Sequence, residues 1–281
     1  MNPVYVEGIG LCGPGLDGWA ASLPVLIGMK DYVPAPTRVQ PASLLPPNER
    51  RRAIQTVKLA LAVGAEALAA ARLDLAESAT VFASSGGDGE TIHQIMSVLA
   101  SSDRELSPTR FHNSVHNTPA GYWGIATAAR TPSTSLGCYD GSFAAGLIEA
   151  AVQATVEVRP VMLIAYDVPY PAPLGDLRPI SAAFAVALVL SPKPTAATLA
   201  CLKPCLRPGT DVVSRVVPSS LEALRCGTPA ARSLPLLAAL ACEGDSFVVI
   251  DYLDNMTLAL GVTPRLGALP SSGGRQERSS A

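Results

Sequence analysis

Apolar and polar positions recur along this chain with two periods, and the two divide it into helices and strands. Between Ser142 and Val156, Phe143, Leu147, Ala150 and Ala151 return at three- and four-residue steps, which is one face of a helix. Val161 to Tyr166 is a continuous apolar run. Pro160 closes it on one side and Asp167 and Pro169 on the other, which suits a strand buried on both faces. Ser133 to Leu136 leads into a turn holding Cys138, Tyr139, Asp140 and Gly141. The stretch from Pro132 to Val168 therefore reads as strand, turn, helix, strand, with a thiol at the mouth of the helix. Backbone N–H groups and the helix dipole at such a place lower a thiol's pKa and hold an oxyanion. Cys138 is thus the first candidate for chemistry. The plainer reading makes it a small buried side chain.

The same patterns place the other elements. Val4 to Ile9 reads as a strand, followed by a glycine-rich turn and a short helix near Leu16 to Leu23. Residues 33 to 48 are a proline-rich loop. Asn48 caps a helix running to about Leu73, with Ile54, Val57, Leu61, Ala65 and Leu68 on one face. Further strands are expected at Thr80 to Ala83, Ala183 to Leu190 and Thr198 to Leu206. Helices are expected at Thr91 to Leu99, Pro218 to Cys226 and Leu234 to Cys242. Ser246 to Leu253 and Met256 to Val262 form a closing hairpin, and Pro270 to Ala281 is expected to be disordered. Alternating strands and helices argue an α/β fold with helices on both faces of the sheet. The expected organisation is one domain over 1–264, with a short C-terminal extension from about 193, and a disordered tail over 265–281.

Composition narrows the function. Hydrophobic residues make up 48% of the 281 and charged residues 16%, so a sizeable core is available. A net charge of −2 lacks the basic excess of a nucleic-acid binder. The start, MNPVYVEGIG, has neither the basic nor the apolar region of a signal peptide. The longest apolar run, Ala182 to Leu190, is too short to span a bilayer. Six cysteines without framework spacing read as reduced thiols in the cytoplasm.

Several motifs offer chemistry that their surroundings do not sustain. Gly8-Ile9-Gly10-Leu11-Cys12-Gly13 has the letters of a dinucleotide fingerprint, but the acid that should take the ribose, Asp31, lies in a proline-broken loop. The loop Ser84 to Gly89 lacks the lysine of a phosphate-binding loop. His112 and His116 stand four apart without an acidic or cysteine ligand nearby, so hydrogen bonding at an interface suits them better than a metal. Cys201 and Cys205 have no second pair for zinc. Arg50, Arg51 and Arg52 are the densest positive cluster, where an acidic partner could dock.

Taken in order, these pieces resemble the N-terminal half of a β-ketoacyl synthase of the thiolase fold. The opening strand with Gly8-Ile9-Gly10, the Ser84 to Gly89 loop, Asn117-Thr-Pro-Ala-Gly, Pro132-Ser133 before the cysteine turn, and Arg178-Pro179 before an Ala/Val-rich strand all match in kind. Cys138 and Gly146 are eight apart, like the family's nucleophile and its helix glycine. Phe111-His-Asn-Ser-Val-His-Asn, Ser142-Phe-Ala-Ala-Gly and Ala165-Tyr-Asp-Val-Pro-Tyr-Pro resemble a narrower group. These are the short synthase-like chain-length-factor proteins of aryl polyene and xanthomonadin-type pigment pathways. The resemblance covers residues 3 to about 192 well and the remainder weakly.

The resemblance implies a mixed sheet with helices on both faces, and its departures imply a role. A condensing synthase needs two histidines after its thiol, and the last histidine here is His116. About 90 residues follow Pro192, too few for a complete second βαβαβ half, so core surface is expected to stay uncovered. The run into the turn is about two residues shorter than in active members, so either Cys138 or Asp140 falls at the nucleophile position. The implied protein is a non-catalytic subunit that forms a heterodimer with an active β-ketoacyl synthase. In such relatives the strand before the turn, here with Ser133 and Ser135, pairs across a two-fold axis. The segment from Phe111 to Tyr122 lines the partner's acyl tunnel, with Phe111, Val115 and Tyr122 as its bulky side chains and Asn117 fixing its path. No cofactor or metal is implied, because the acyl chain arrives as a phosphopantetheine thioester on an acidic acyl carrier protein. The alternatives are a thioester-forming acyltransferase or minimal synthase using Cys138, and a stand-alone acyl-binding module.

Overall fold

The computed structural model describes residues 1–265. Along the chain run β1 (Val4–Gly13), β2 (Leu16–Asp17), α1 (Trp19–Leu26), α2 (Pro47–Arg52), α3 (Gln55–Ala71), β3 (Ala79–Ala83), α4 (Gly89–Ala100), α5 (Pro108–Asn113) and α6 (Thr118–Thr127). Then follow β4 (Ser133–Leu136), α7 (Ser142–Val156), β5 (Val161–Asp167), α8 (Leu174–Leu177), β6 (Phe184–Ser191), β7 (Ala200–Pro208), α9 (Ser219–Gly227), α10 (Leu234–Ala241), β8 (Ser246–Leu253) and β9 (Met256–Pro264). Short 3₁₀ turns at Tyr139–Gly141 and Pro229–Ser233 lead into α7 and α10.

The strands form one mixed sheet in the order β4-β3-β5-β6-β1-β7-β9-β8, with β2 paired to β1. β3 is parallel to both β4 and β5, and the remaining pairs are antiparallel. The apolar runs of β5 and β6 are buried along their whole length because helices cover both faces. α3 and α6 pack with Phe82, Ile164 and Ala187 on one face. α1, α7 and α10 pack with Val81, Leu163 and Leu188 on the other. Leu202, Leu260, Val248 and Ile250 join that second cluster, so the sheet curls until β8 also reaches α7.

The two edges of the sheet differ. At one edge, Thr80 and Ser84 donate to the carbonyls of Pro132 and Leu136. Backbone groups alternate direction along a strand, so those of Ser133 and Ser135 point outward and away from β3. At the far edge the Ser214 N–H donates to the Val249 carbonyl at 2.9 Å and its Oγ accepts from the Val249 N–H at 3.0 Å, so a chain segment covers the middle of β8.

Several expectations change. Gly8 and Gly10 lie inside β1. A β-carbon on either would come within 2.1 Å and 2.0 Å of the Ala67 and Val63 carbonyl oxygens of α3. They are glycines because a helix presses on the strand, and Asp31 is exposed in its loop. The helix expected from Asn48 to Leu73 is two helices. Ala53 and Ile54 are extended, and the Arg52 carbonyl, freed from the helix, accepts from Asn113 Nδ2 at 3.0 Å. Pro46, not Asn48, stands at the cap of α2. The helix expected near Leu16 to Leu23 begins at Trp19, after the short β2. α5, α6 and α8 had no counterpart among the expected elements. Finally, the C-terminal extension does not leave the core uncovered. β7, β9 and β8 continue the same sheet, and α9 and α10 bury Leu221, Leu234 and Leu237 against it. Of the expected tail, Arg265 donates its N–H to the Leu199 carbonyl at 2.8 Å, and 266–281 lie outside the described residues.

Candidate functional site

Three parallel strands end on the same side of the sheet. β3 runs into Ser84, β4 into Gly137 and Cys138, and β5 ends at Asp167. Crevices at the carboxyl ends of such strands are where α/β sheets place ligands. Cys138 opens the 3₁₀ turn that becomes α7, half-buried, with its N–H donated to Ser142 Oγ at 2.9 Å. Tyr139 takes a left-handed conformation (φ 48°), a strained one for a residue with a β-carbon. Its exposed ring carries the Arg178 guanidinium 3.6 Å from its centre, which helps hold the turn.

Asp140 decides what the turn can do. One carboxylate oxygen pairs with Arg178 and the other accepts from Arg232 Nη2 at 2.9 Å. Both arginine side chains are only 19% exposed, so the contacts are charge-assisted and shielded. A carboxylate held by two guanidinium groups is neither a free nucleophile nor an available base. The pairing continues outward. Arg232 also reaches Asp251 at 3.5 Å, Arg225 reaches Asp251 at 3.2 Å, and Arg225 grips Glu222 at 2.8 and 2.9 Å. That grip holds the Glu222 carboxyl down at about 2.

A cleft of about 980 Å³ opens between the turn and the tip of the β8–β9 hairpin, lined by Cys138, Asp140, Arg232, Asp251, Tyr252 and Asn255. The hairpin comes so close that a β-carbon on Gly141 would stand 2.2 Å from the Tyr252 carbonyl oxygen. Behind the turn, Asp167 is buried and has no cation paired to it among the described residues. It accepts from the N–H groups of Ser85 and Ala230, both at 2.8 Å, and from Ser84 Oγ at 3.3 Å. Burial pushes its carboxyl up to about 6 against those hydrogen bonds. It ties the loop after β3 to the segment before α10.

The histidines part company. His116 Nε2 lies 3.4 Å from the Ser84 carbonyl oxygen and 3.4 Å from where a β-carbon on Gly137 would be, beside the thiol's neighbour. His112 is exposed in α5, edge-on to Tyr122 at 6.0 Å between ring centres. Of the expected interface residues, Phe111 and Val115 are 63% and 50% exposed, and Asn117 is exposed before α6. Ser133 and Ser135 lie on the outermost strand. Tyr122 stands apart from them. It is 1% exposed in the core under α6, and its hydroxyl donates to Asn113 Oδ1 at 3.3 Å.

Sequence reasoning missed Arg232, Asp251, Arg225 and the role of Asp167. Asp140, Arg232 and Asp251 come from segments distant in sequence, so their pairing carries no local signal. An acid ending a fully apolar strand, as at Asp167, was a signal, but it read as a turn residue.

No helix among the described residues is long and apolar enough to cross a membrane. The parallel strands ending at a thiol-bearing turn, the helix that leaves it and the antiparallel continuation of the sheet define a thiolase-like condensing-enzyme half. The family model for the β-ketoacyl synthase N-terminal domain matches residues 28–236, and the chain belongs to that family. No curated protein matches it. Among solved structures it is similar to a chain of the ketosynthase ApeO in complex with its chain length factor ApeC from Xenorhabdus doucetiae. That likeness has 21% identity, covers 93% of this chain and 100% of that one, and has a TM-score of 0.70. It is also similar to a chain of AntDE:AntF, a type II polyketide synthase carrier protein in complex with its ketosynthase. There the identity is 12%, the coverage 94% and 100%, and the TM-score 0.75. The ishigamide ketosynthase/chain length factor gives 14% identity, 94% and 99% coverage and a TM-score of 0.68. These likenesses carry the thiolase-like fold expected from the sequence.

Proposed function

We propose that this chain is a chain-length factor: a non-catalytic subunit that pairs with an active β-ketoacyl synthase and shapes the channel in which an aryl polyene-type acyl chain grows. The observation that carries the reading is the edge at β4, where the outward backbone groups of Ser133 and Ser135 meet no further strand among the described residues. Exposed Phe111 and Val115, on α5 and in the linker to α6, supply the apolar side chains for a shared channel. The double clamp on Asp140 supports a turn without catalysis. The acyl chain would come as a phosphopantetheine thioester on an acidic carrier protein. Arg50, Arg51 and Arg52, all exposed on α2, suit such a surface. The unpaired state of all six cysteines suits a reducing cytoplasm.

Reconstitution with a partner synthase and a loaded carrier protein tests the reading. Cys138→Ala is expected to leave polyene output within about twofold, because among the described residues no base hydrogen-bonds the thiol. Loss of product from a variant that still binds its partner sinks the non-catalytic reading. A second reading, a thioester-forming transferase using Cys138, is favoured by one observation: the thiol lines the cleft while His116 rests against Gly137. Transfer of acyl mass to Cys138 from an acyl carrier protein would establish it.

A further inference from the structure

Six side chains of alternating charge run in one line: Glu222, Arg225, Asp251, Arg232, Asp140 and Arg178. They come from α9, β8, the 3₁₀ turn before α10, the turn before α7 and the end of α8. We propose that this line is a latch that holds the β8–β9 hairpin against the turn at the mouth of α7 and so sets access to Cys138.

Three features support a latch over incidental surface pairing. The arginines are shielded, with Arg225 only 9% exposed, so the contacts are not the solvent-screened kind that contribute little. β8 is the outermost strand, and beyond the Ser214 contact at Val249 its end toward the hairpin tip has a strand partner on one side only, so that end depends on added fastening. Where the hairpin meets the turn, backbone rests on backbone at Gly141 and Tyr252. Around that contact the cleft wall carries Asp140, Arg232 and Asp251 themselves.

Arg232 is the middle link, with Asp140 on one side and Asp251 on the other. Removing it leaves Asp140 with Arg178 and Asp251 with Arg225, so each half keeps a pair while the connection between them is lost. The latch does not depend on the chain-length reading. It concerns access to the turn whether or not the thiol reacts in a pathway.

The test uses Arg232→Met in the full chain. Alkylation of Cys138 by iodoacetamide, followed peptide by peptide in the mass spectrometer, is expected to run at least about fivefold faster than in the unaltered protein, the scale of coupling between contacting residues. Amide exchange at Tyr252 and Leu253 should quicken with it, while β5 keeps its protection. Arg38→Met, which removes an exposed pair to Asp17 at 3.7 Å, should change neither. Asp251→Ala, which cuts the same connection from the hairpin side, should speed Cys138 alkylation to a similar degree. If Arg232→Met fails to fold, Asp251→Ala carries the test. A Cys138 rate in the folded variants equal to that of the unaltered protein would overturn the latch.

Discussion

Gly141 and Tyr252 meet backbone to backbone. A β-carbon on the glycine would lie 2.2 Å from the tyrosine's carbonyl oxygen, so the C-terminal hairpin can rest on the turn before α7 only if that position has no side chain. Gly141 has φ −83°, a value open to any residue. The requirement is therefore one of space. Gly141→Ala should force the hairpin outward and cost about 1–3 kcal/mol. Urea unfolding measures the loss. Unchanged stability, with β8 amides as protected as before, would show that the two segments part without cost.

The open edge gives the sharpest interface test. Ser135 points its backbone groups away from β3, whereas the carbonyls of Pro132 and Leu136 serve the β3 ladder. Ser135→Pro should therefore remove an outward donor and weaken binding to a synthase partner at least about tenfold. Thr134→Pro should break the ladder inside the chain and unfold the edge. Sedimentation of mixed subunits reads the first and circular dichroism the second. A Ser135→Pro protein that binds as tightly as the original would remove β4 from the interface.

Channel length should answer to Phe111 and Val115 and not to Tyr122. A growing polyene is rigid, and a wall that costs about 1–3 kcal/mol per added unit decides where extension stops. Val115→Ala should lengthen the products of a reconstituted pair, and Val115→Phe should shorten them. Tyr122 is in the core, so Tyr122→Ala should cost about 3 kcal/mol of stability and leave length alone. Product masses separate these outcomes. Altered yield at constant length in both Val115 variants would exclude a channel wall there.

Asp167 should give the protein an unusual acid profile. Its carboxyl is raised to about 6 when folded from about 3.8 when unfolded. Between those values the folded state holds the proton and the unfolded state has lost it, so this group's contribution falls as pH rises. The whole change is about 3 kcal/mol and is complete above pH ~6. Glu222 acts in the opposite sense. Its carboxyl is held at about 2, so its contribution is present above the ordinary value of about 4.5 and is lost as pH falls toward 2. Urea unfolding from pH 3 to 8, with Asp167→Asn alongside, measures the first term. A stability gap between the two proteins that does not change from pH 4 to 6 would contradict it.

What was legible in the sequence is what local pattern determines. The apolar runs of β5 and β6 and the three- and four-residue steps of α7 can be met by few structures, and each element lies where its pattern put it. What was not legible depends on distant neighbours. The glycines of β1 look like a loop until α3 is laid across them. The break at Ala53 belongs to Asn113, which takes the Arg52 carbonyl from 61 residues away. Tyr122 looked like a channel wall because nothing in the letters distinguishes the inward face of a short helix whose apolar residues go nearly all round. At the site, Cys138 was visible as a thiol before a helix. The clamp that defines its surroundings was not, because Asp140 and Arg232 are 92 residues apart.

The unequal edges of the sheet limit how large an assembly can become. A strand edge that recruits another strand passes the problem on whenever the opposite edge is also open, and the result is a fibre. Here Ser214 occupies the backbone of Val249 at the far edge. A chain that joins another through β4 therefore presents at its other edge a template interrupted at Val249, and that one serine, far from the turn, works against growth beyond the first partner.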